Sequence, residues 1–349
     1  MQPTPETLGN RRDDFFGRLE RYRELVTPVL TAALPDKEPR RHLYDIIRAF
    51  VGKPGKGLRP ALCIATCTAF GGREDDALPT AAALELLHNA LLVHDDVEDE
   101  SEYRRSEPTL HTRYGVPIAV NTGDAMNALT LRLVLKNLEL VGAGKTWRIL
   151  EEFDHLLVES LEGQAMELGW IRDNDTSVGE DDYLRMILKK TCWYSFIHPC
   201  RLGALLAGRS DLERFDRFGY FAGAAFQIKD DLLNLVGDAR RYGKEIGGDL
   251  WEGKRTLMLA HAFGEASPKD RARLAAMLER PRSARLERDV DWMQKLLHET
   301  GSIEHATRAA AELARAAKTE FEVAYADAPE SDEKSLLREI VAYAVEREL

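Results

Sequence analysis

Apolar residues recur three and four positions apart along almost the whole chain, the spacing that lays one face of an α-helix against a core. The pattern is cleanest over 78–99, 116–140, 146–170, 183–208, 212–235 and 303–325, and it predicts a helix over each. These segments are also rich in Ala, Leu, Glu and Arg, which favour helix. Strict strand-like alternation is scarce. Breaks fall at Pro54-Gly55, Gly71-Gly72, Gly115-Val116-Pro117, Gly142-Ala143-Gly144, Asp173-Asn174-Asp175 and Gly247-Gly248. The connections are short, so consecutive helices are expected to run antiparallel. The reading is an all-α antiparallel helix bundle in a single domain over 1–349. Residues 1–10 are expected to be loose, and the charged, proline-broken stretch 265–288 to be a peripheral excursion.

Composition narrows the partners. Of 349 residues, 44% are hydrophobic, enough for a large core and too many for a disordered chain. The formal net charge of -11 gives no bulk attraction for nucleic acid, so a polyanionic substrate needs local cations or bound metal. No apolar run approaches the roughly 20 residues that span a bilayer, and the first residues lack a basic stretch followed by an apolar one. Cys63, Cys67, Cys192 and Cys200 lack zinc-type spacing with histidines and read as buried reduced thiols. A cytoplasmic location is expected.

Two segments carry the chemistry. The first, Leu87 to Asp99, begins as a core helix and ends in carboxylates; at about 100° per residue, Asp95, Asp96 and Asp99 fall within one arc. Three carboxylates on one turn repel each other, and they sit near the helix C-terminus, where the dipole disfavours negative charge. Cations at that point resolve both conflicts. The second segment, Phe226 to Asn234, repeats the spacing with Asp230, Asp231 and Asn234. Hard oxygen ligands of this kind suit magnesium, which takes a few carboxylates together with waters and substrate phosphates. One Asp-Asp pair alone reads as a solvated helix end, whereas two with matched spacing point to metal.

Basic groups match them. Lys56 and Arg59 lie in Gly55-Lys56-Gly57-Leu58-Arg59-Pro60, a glycine-rich turn opening an apolar helix, where anions are favoured. Arg104-Arg105 follows the first acidic cluster and can grip phosphate in bidentate fashion; taken alone, it reads equally well as a salt bridge to neighbouring acids. Lys189-Lys190-Thr191 interrupts the 183–208 pattern, and Lys244 and Lys254 flank Gly247-Gly248-Asp249.

As an ordered set, these segments resemble the polyprenyl synthetase family, the trans-isoprenyl diphosphate synthases, and most of all its geranylgeranyl diphosphate synthases. Asp95-Asp96-Val97-Glu98-Asp99 with Arg104-Arg105-Ser106-Glu107-Pro108-Thr109 is similar to the family's first aspartate-rich motif. Gly55 to Pro60, Gly163-Gln164-Ala165-Met166-Glu167-Leu168, Lys190-Thr191, Phe226 to Asp231, and Gly243-Lys244 through Lys254 follow in the family's order, from about residue 52 to 260. The resemblance implies an isoprenoid synthase fold, helices around a deep central cavity, usually as a homodimer. It implies that Asp95, Asp96, Asp99, Asp230 and Asp231 hold about three magnesium ions around an allylic diphosphate. Arg104, Lys190, Thr191, Gln227, Lys244 and Lys254 would contact that diphosphate, and Lys56, Arg59, His88 and Arg105 would bind isopentenyl diphosphate. Asn234 stands where the motif often has Asp; its amide oxygen is expected to hold a metal-bound water or to orient a neighbour. Ser106 replaces a usual Gly, which strains the turn if that position needs positive φ.

The implied reaction is ionisation, condensation and elimination, with no dedicated protein base. His88 reads as a diphosphate ligand and His94 as a structural hydrogen-bonding group. Product length is expected to follow from Leu87, Ala90 and Leu91 behind the first cluster. No bulky aromatic stands at the two positions before the motif, which favours a product longer than farnesyl, with geranylgeranyl diphosphate first; a farnesyl or longer-chain polyprenyl synthase is the alternative. Trp193 and Tyr194 could form a deeper floor, although core packing is the preferred reading. Two rivals are weaker. A class I terpene cyclase needs a different second motif from Asp230 to Asp238 and has no use for Lys56 and Arg59. A non-catalytic partner subunit should have lost its acids.

Overall fold

The first helix shows why the chain folds as it does. In α1 (Pro5–Ala33), Phe15, Leu19, Tyr22, Val26 and Leu30 recur every three or four residues and all are buried. The structure, a computed structural model, describes residues 5–53, 55–105, 107–236 and 247–346. After a short π-turn (Arg40–Tyr44) come α2 (Asp45–Val51), α3 (Leu58–Ala69) and α4 (Glu74–Glu98). A two-rung antiparallel hairpin, β1 (Tyr103–Arg104) with β2 (Glu107–Pro108), leads into α5 (Leu110–Tyr114), α6 (Val116–Leu135), α7 (Asn137–Leu140) and the long α8 (Gly142–Arg172). Next are α9 (Glu180–Ile187), a ten-residue π-helical segment (Leu188–Ile197) and α10 (His198–Leu206). A 3₁₀ turn (Leu212–Phe215) opens α11 (Asp216–Val236). The remainder comprises α12 (Gly248–Glu252), α13 (Leu257–Glu265), α14 (Pro268–Leu278), a 3₁₀ turn (Arg282–Ala284), α15 (Glu287–Glu299), α16 (Ser302–Ala324) and α17 (Asp332–Glu346).

The bundle is ordered by a few close pairings. Helix α4 packs on α6 and α3, α10 on α3, and α11 on α16 and on the π-segment, whose other side meets α8. Small residues permit these approaches. On α16, Ala306, Ala310, Ala314 and Ala317 form a buried row. The π-segment is held between glycines: a methyl on Gly223 would sit 2.8 Å from Cys192 Cα, and one on Gly219 2.9 Å from Ile197 Cα. Two apolar clusters result. One is built on α1, α3, α4, α6 and α10, the other on α9, α13, α14, α15 and part of α16, and α11 contributes to both.

The structure refines the sequence reading in four places. The 116–140 segment is two helices, because the Asn137 amide is buried, donates to Val134 O (2.8 Å) and accepts from Thr80 Oγ1 (3.1 Å), competing with the helical backbone bonds. The break expected at Gly142-Ala143-Gly144 is instead the first turn of α8, which Gly142 enters at positive φ. The 183–208 segment is α, then π, then α. In the 265–288 stretch, Leu274, Met277 and Leu278 enter the second cluster. Arg285 is buried with its guanidinium on the carbonyls of Leu250, Trp251, Met277 and Leu278, which ties the stretch to the body.

Where α10 leaves the π-segment, Glu152 accepts from Arg201 Nε and Nη2 (2.7 and 2.8 Å), and lies 2.8 Å from His198 Nδ1. Burial works to raise the Glu152 carboxyl; the bonds from Arg201 and His198 overcome it and hold the group at about 2, against an ordinary 4.5. A carboxyl depressed on folding stabilises the fold above its unfolded pKa and loses that contribution as pH falls through the folded value. Glu152→Gln is therefore expected to flatten the loss of stability between pH 4.5 and 2, read from urea midpoints across that window.

Candidate active site

Helix α4 carries the first acidic cluster into the body rather than to its surface. Asp96 and Asp99 are buried and Asp95 is half-buried. The hairpin that follows turns back so that Arg104 Nε donates to Asp96 Oδ1 (2.6 Å) and Nη2 to Asp95 Oδ2 (3.1 Å). The positive φ required by this turn falls on Arg105 (53°), while Ser106 lies outside the described residues. Lys190, on the π-segment, lies 3.5 Å from Asp95 Oδ1 and is hydrogen-bonded to Glu167 of α8. Lys254, in the turn after α12, donates to Asp99 Oδ2 (2.6 Å) and lies 3.0 Å from Glu252. Burial pushes the Asp99 carboxyl up to about 7, Asp95 adds to that, and Lys254 opposes it. Burial alone would strip charge from Lys254 and Lys190; the carboxylates of Asp99, Glu252, Glu167 and Asp95 outweigh it, and both ammoniums titrate above their usual range.

The second cluster is tied to the π-segment that carries Lys190. On α11, Asp231 is buried and accepts from Tyr183 Oη (2.7 Å) and Gln227 Nε2 (2.8 Å); Gln227 in turn accepts from Thr191 (2.9 Å). Burial raises Asp231 to about 6 against these two hydrogen bonds, and the charges of Glu167 and Asp230 add to the rise. Glu167 thus stands between the clusters, bonded to Lys190 and sensed by Asp231. Asp230 is half-buried beside it. Asn234 holds a neighbouring segment: its Oδ1 accepts the Asp249 amide (3.0 Å) and its carbonyl accepts Gly247 N–H (2.7 Å), so it caps the start of α12. Lys244 lies outside the described residues.

A third group adjoins the first along α4. His88 and Arg59 lie together, with Arg105 and the half-buried Glu85 beside them. Burial, then the charges of Arg59, Arg105 and Arg104, push the His88 imidazole well down, so it is neutral. Arg59 Nε and His88 Nδ1 are buried with no hydrogen-bond partner among the described residues. Buried donors and acceptors left this way are costly and are a common mark of a ligand position. Lys56 is exposed, with its Nζ 5.4 Å from the Tyr343 ring centroid. Gly57, at φ 62°, supplies the left-handed residue that opens α3. His94 lies 3.4 Å from Val120 O and from Asp124, in keeping with a structural role. Leu87 and Ala90 are buried and Leu91 half-buried in the first apolar cluster. Trp193 meets His155 edge-on and His198 at a tilt (4.5 and 5.1 Å), partly buried against the second apolar cluster, whereas Tyr194 lies against Arg59 and His88.

A family model described as polyprenyl synthetase matches residues 40–297. The chain belongs to the polyprenyl synthetase family. It is 32% identical over 335 residues, 95% of this chain and 98% of the relative, to a short chain isoprenyl diphosphate synthase of Methanothermobacter thermautotrophicus. Its fold is similar to that of a geranylgeranyl pyrophosphate synthetase from Pyrococcus horikoshii, with a TM-score of 0.85 and 30% identity, covering 97% of this chain and 100% of that one. It is equally similar (TM-score 0.85, 25% identity, 96% and 99% covered) to a geranylgeranyl pyrophosphate synthase from Corynebacterium glutamicum solved with isoprenyl diphosphate and magnesium. This polyprenyl synthetase is accordingly an enzyme that transfers prenyl groups, and among its described residues no helix is long and apolar enough to cross a membrane.

The donor set fits magnesium. Among the described residues, no three His, Cys, Asp or Glu side chains converge on one point. Instead, hard carboxylate oxygens are presented in ones and twos, which is how magnesium is usually held when substrate phosphates and water complete its shell. Sequence reasoning missed three members of this polyprenyl synthetase's site: Glu167, Tyr183 and Glu252. Glu167 stood in a quoted motif but had no partner until Lys190 was placed beside it. Tyr183 and Glu252 carried no signal, since a lone Tyr or Glu at helical spacing reads as packing or solvated surface.

Proposed function

We propose that the enzyme condenses isopentenyl diphosphate with an allylic diphosphate to give geranylgeranyl diphosphate as its main product. The observation that carries this reading is the first acidic cluster set on buried cations, through Asp99–Lys254 and Asp95–Lys190, with the second tied to the same π-segment through Thr191, Gln227 and Asp231. In this reading, Asp95, Asp96, Asp99, Asp230 and Asp231 hold about three magnesium ions, and Asn234 is left out because its oxygen is committed to a backbone amide. Bound magnesium supplies neutralisation of the departing diphosphate. Arg104, Lys190 and Lys254, now paired with carboxylates, turn their donors to the diphosphate oxygens, with Thr191 and Gln227 orienting Asp231. Lys244 would join them, and Lys56 and Arg105 would join Arg59 and His88 on the second diphosphate. The allylic carbon then accepts the double bond of isopentenyl diphosphate, and the proton lost in forming the new double bond passes to released diphosphate. Neutral His88 is a hydrogen-bonding group here, not a base.

Ala90 and Leu91 leave no aromatic stop behind the first cluster, which supports a product longer than farnesyl. Large exposed apolar side chains on α6, α7 and α8, including Leu131, Leu138, Trp147 and Leu161, support a homodimer that covers them. Four buried free thiols support a reducing, cytoplasmic setting. The test is product analysis with labelled isopentenyl diphosphate and dimethylallyl, geranyl or farnesyl diphosphate as starters. Label is expected in geranylgeranyl diphosphate, and chelation of divalent ions is expected to abolish turnover. A cyclised hydrocarbon formed without isopentenyl diphosphate, or full turnover under chelation, would overturn the reading.

A further inference from the structure

The π-segment serves two places at once. Its first turn aims Lys190 at Asp95 and Thr191 at Gln227. Its next turn aims Tyr194 and Ser195 at the third group. The Tyr194 ring lies under the Arg59 guanidinium, 4.3 Å from ring centroid to Cζ, and its centroid is 5.9 Å from that of His88. Ser195, buried, accepts from Arg59 Nη2 at 2.8 Å. With Nη2 bonded and one guanidinium face covered, Arg59 keeps a buried Nε with no hydrogen-bond partner among the described residues. A long side chain loses considerable rotamer entropy when it is held in one pose, and a stacked guanidinium has had that freedom removed in advance.

We infer that Tyr194 and Ser195 are positioning residues for the isopentenyl diphosphate subsite, acting through Arg59. The inference rests on the assignment of Arg59 to that diphosphate. Tyr194 supplies a cation–π face and Ser195 a hydrogen-bond acceptor, and together they fix the plane of the guanidinium so that its remaining donors meet the phosphate oxygens. Because the same π-segment carries Lys190, the two diphosphate subsites share one rigid support.

Steady-state kinetics on the full chain with magnesium, varying each substrate in turn, tests this. Tyr194→Leu is expected to raise KM for isopentenyl diphosphate about tenfold, the scale of a desolvated cation–π contact, with kcat and the allylic KM within about twofold. Tyr194→Phe keeps the ring and is expected to recover most of that loss. Ser195→Ala is expected to raise the same KM about threefold. In an Arg59→Ala background, which should itself raise that KM strongly, adding Tyr194→Leu is expected to change it by less than about twofold. An unchanged KM in Tyr194→Leu, full additivity with Arg59→Ala, or an equal rise in the allylic KM would overturn the inference alone. An unchanged KM in Arg59→Ala would overturn the assignment of Arg59 and this inference with it. Should Tyr194→Leu fail to fold in a melting assay, Ser195→Ala decides, and an unchanged KM there overturns the inference.

Discussion

Asp95→Ala is expected to lower kcat about a thousandfold or more while leaving the fold intact. Asp95 is half-buried, and its removal leaves Arg104 with Asp96 and Lys190 with Glu167, so no buried cation is orphaned. What is lost is a first-cluster carboxylate that meets both Arg104 and Lys190. Charge developing on a departing diphosphate is neutralised there in a water-poor site, where several kcal/mol of stabilisation is ordinary for bound metal, and each 1.4 kcal/mol is tenfold in rate. Two measurements check this: single-turnover rates at saturating magnesium, and the shift in melting temperature that magnesium with diphosphate gives the wild-type enzyme. Both the rate and the shift should collapse in the variant while its melting temperature without ligands stays put. A variant within tenfold of wild type would remove Asp95 from the metal set.

Gly163→Ala is expected to cost about a hundredfold in turnover although it changes no group that touches substrate. A methyl on Gly163 would lie 2.7 Å from Lys190 Cα and 2.8 Å from Lys190 Cβ, closer than real contacts allow, and still closer to Lys190 N. The obstruction is backbone, so either α8 or the π-segment must move. The π-segment is fixed on its other side by the glycines of α11, so the displacement falls on Lys190 and Thr191. A shift of about 1 Å in a positioned group is worth about a hundredfold. The drop should appear in kcat and in the KM for the allylic diphosphate, together with a lower melting temperature. Normal kinetics in a folded Gly163→Ala protein would mean that the π-segment can yield without disturbing Lys190.

Much of this was legible in the sequence, because helical periodicity and like-charge crowding are local signals. The matched acids of 95–99 and 230–234 announced a site for cations before any fold was known, since three carboxylates on one helical turn have no local reason to be there. The amphipathic α16 and the order of the motifs likewise follow from spacing alone. Other features depended on partners distant in sequence. Periodicity cannot distinguish ten residues of π-helix from α-helix, yet that wider winding sends Lys190 to one subsite and Tyr194 to the other. Asn234 read as a group that holds a metal-bound water or orients a neighbour because its spacing matched, and only the approach of α12 brought a backbone amide to its oxygen.

The chain by itself determined that helices would form and which turns would crowd with charge, because both depend on residues a few positions apart. The tertiary structure decided which cation meets which acid: Lys254 with Asp99 across 155 positions, Lys190 with Glu167, and Arg59 between Tyr194 and Ser195. Those pairings are set by helix crossings that small residues permit, and no pattern along one helix encodes where another helix will cross it.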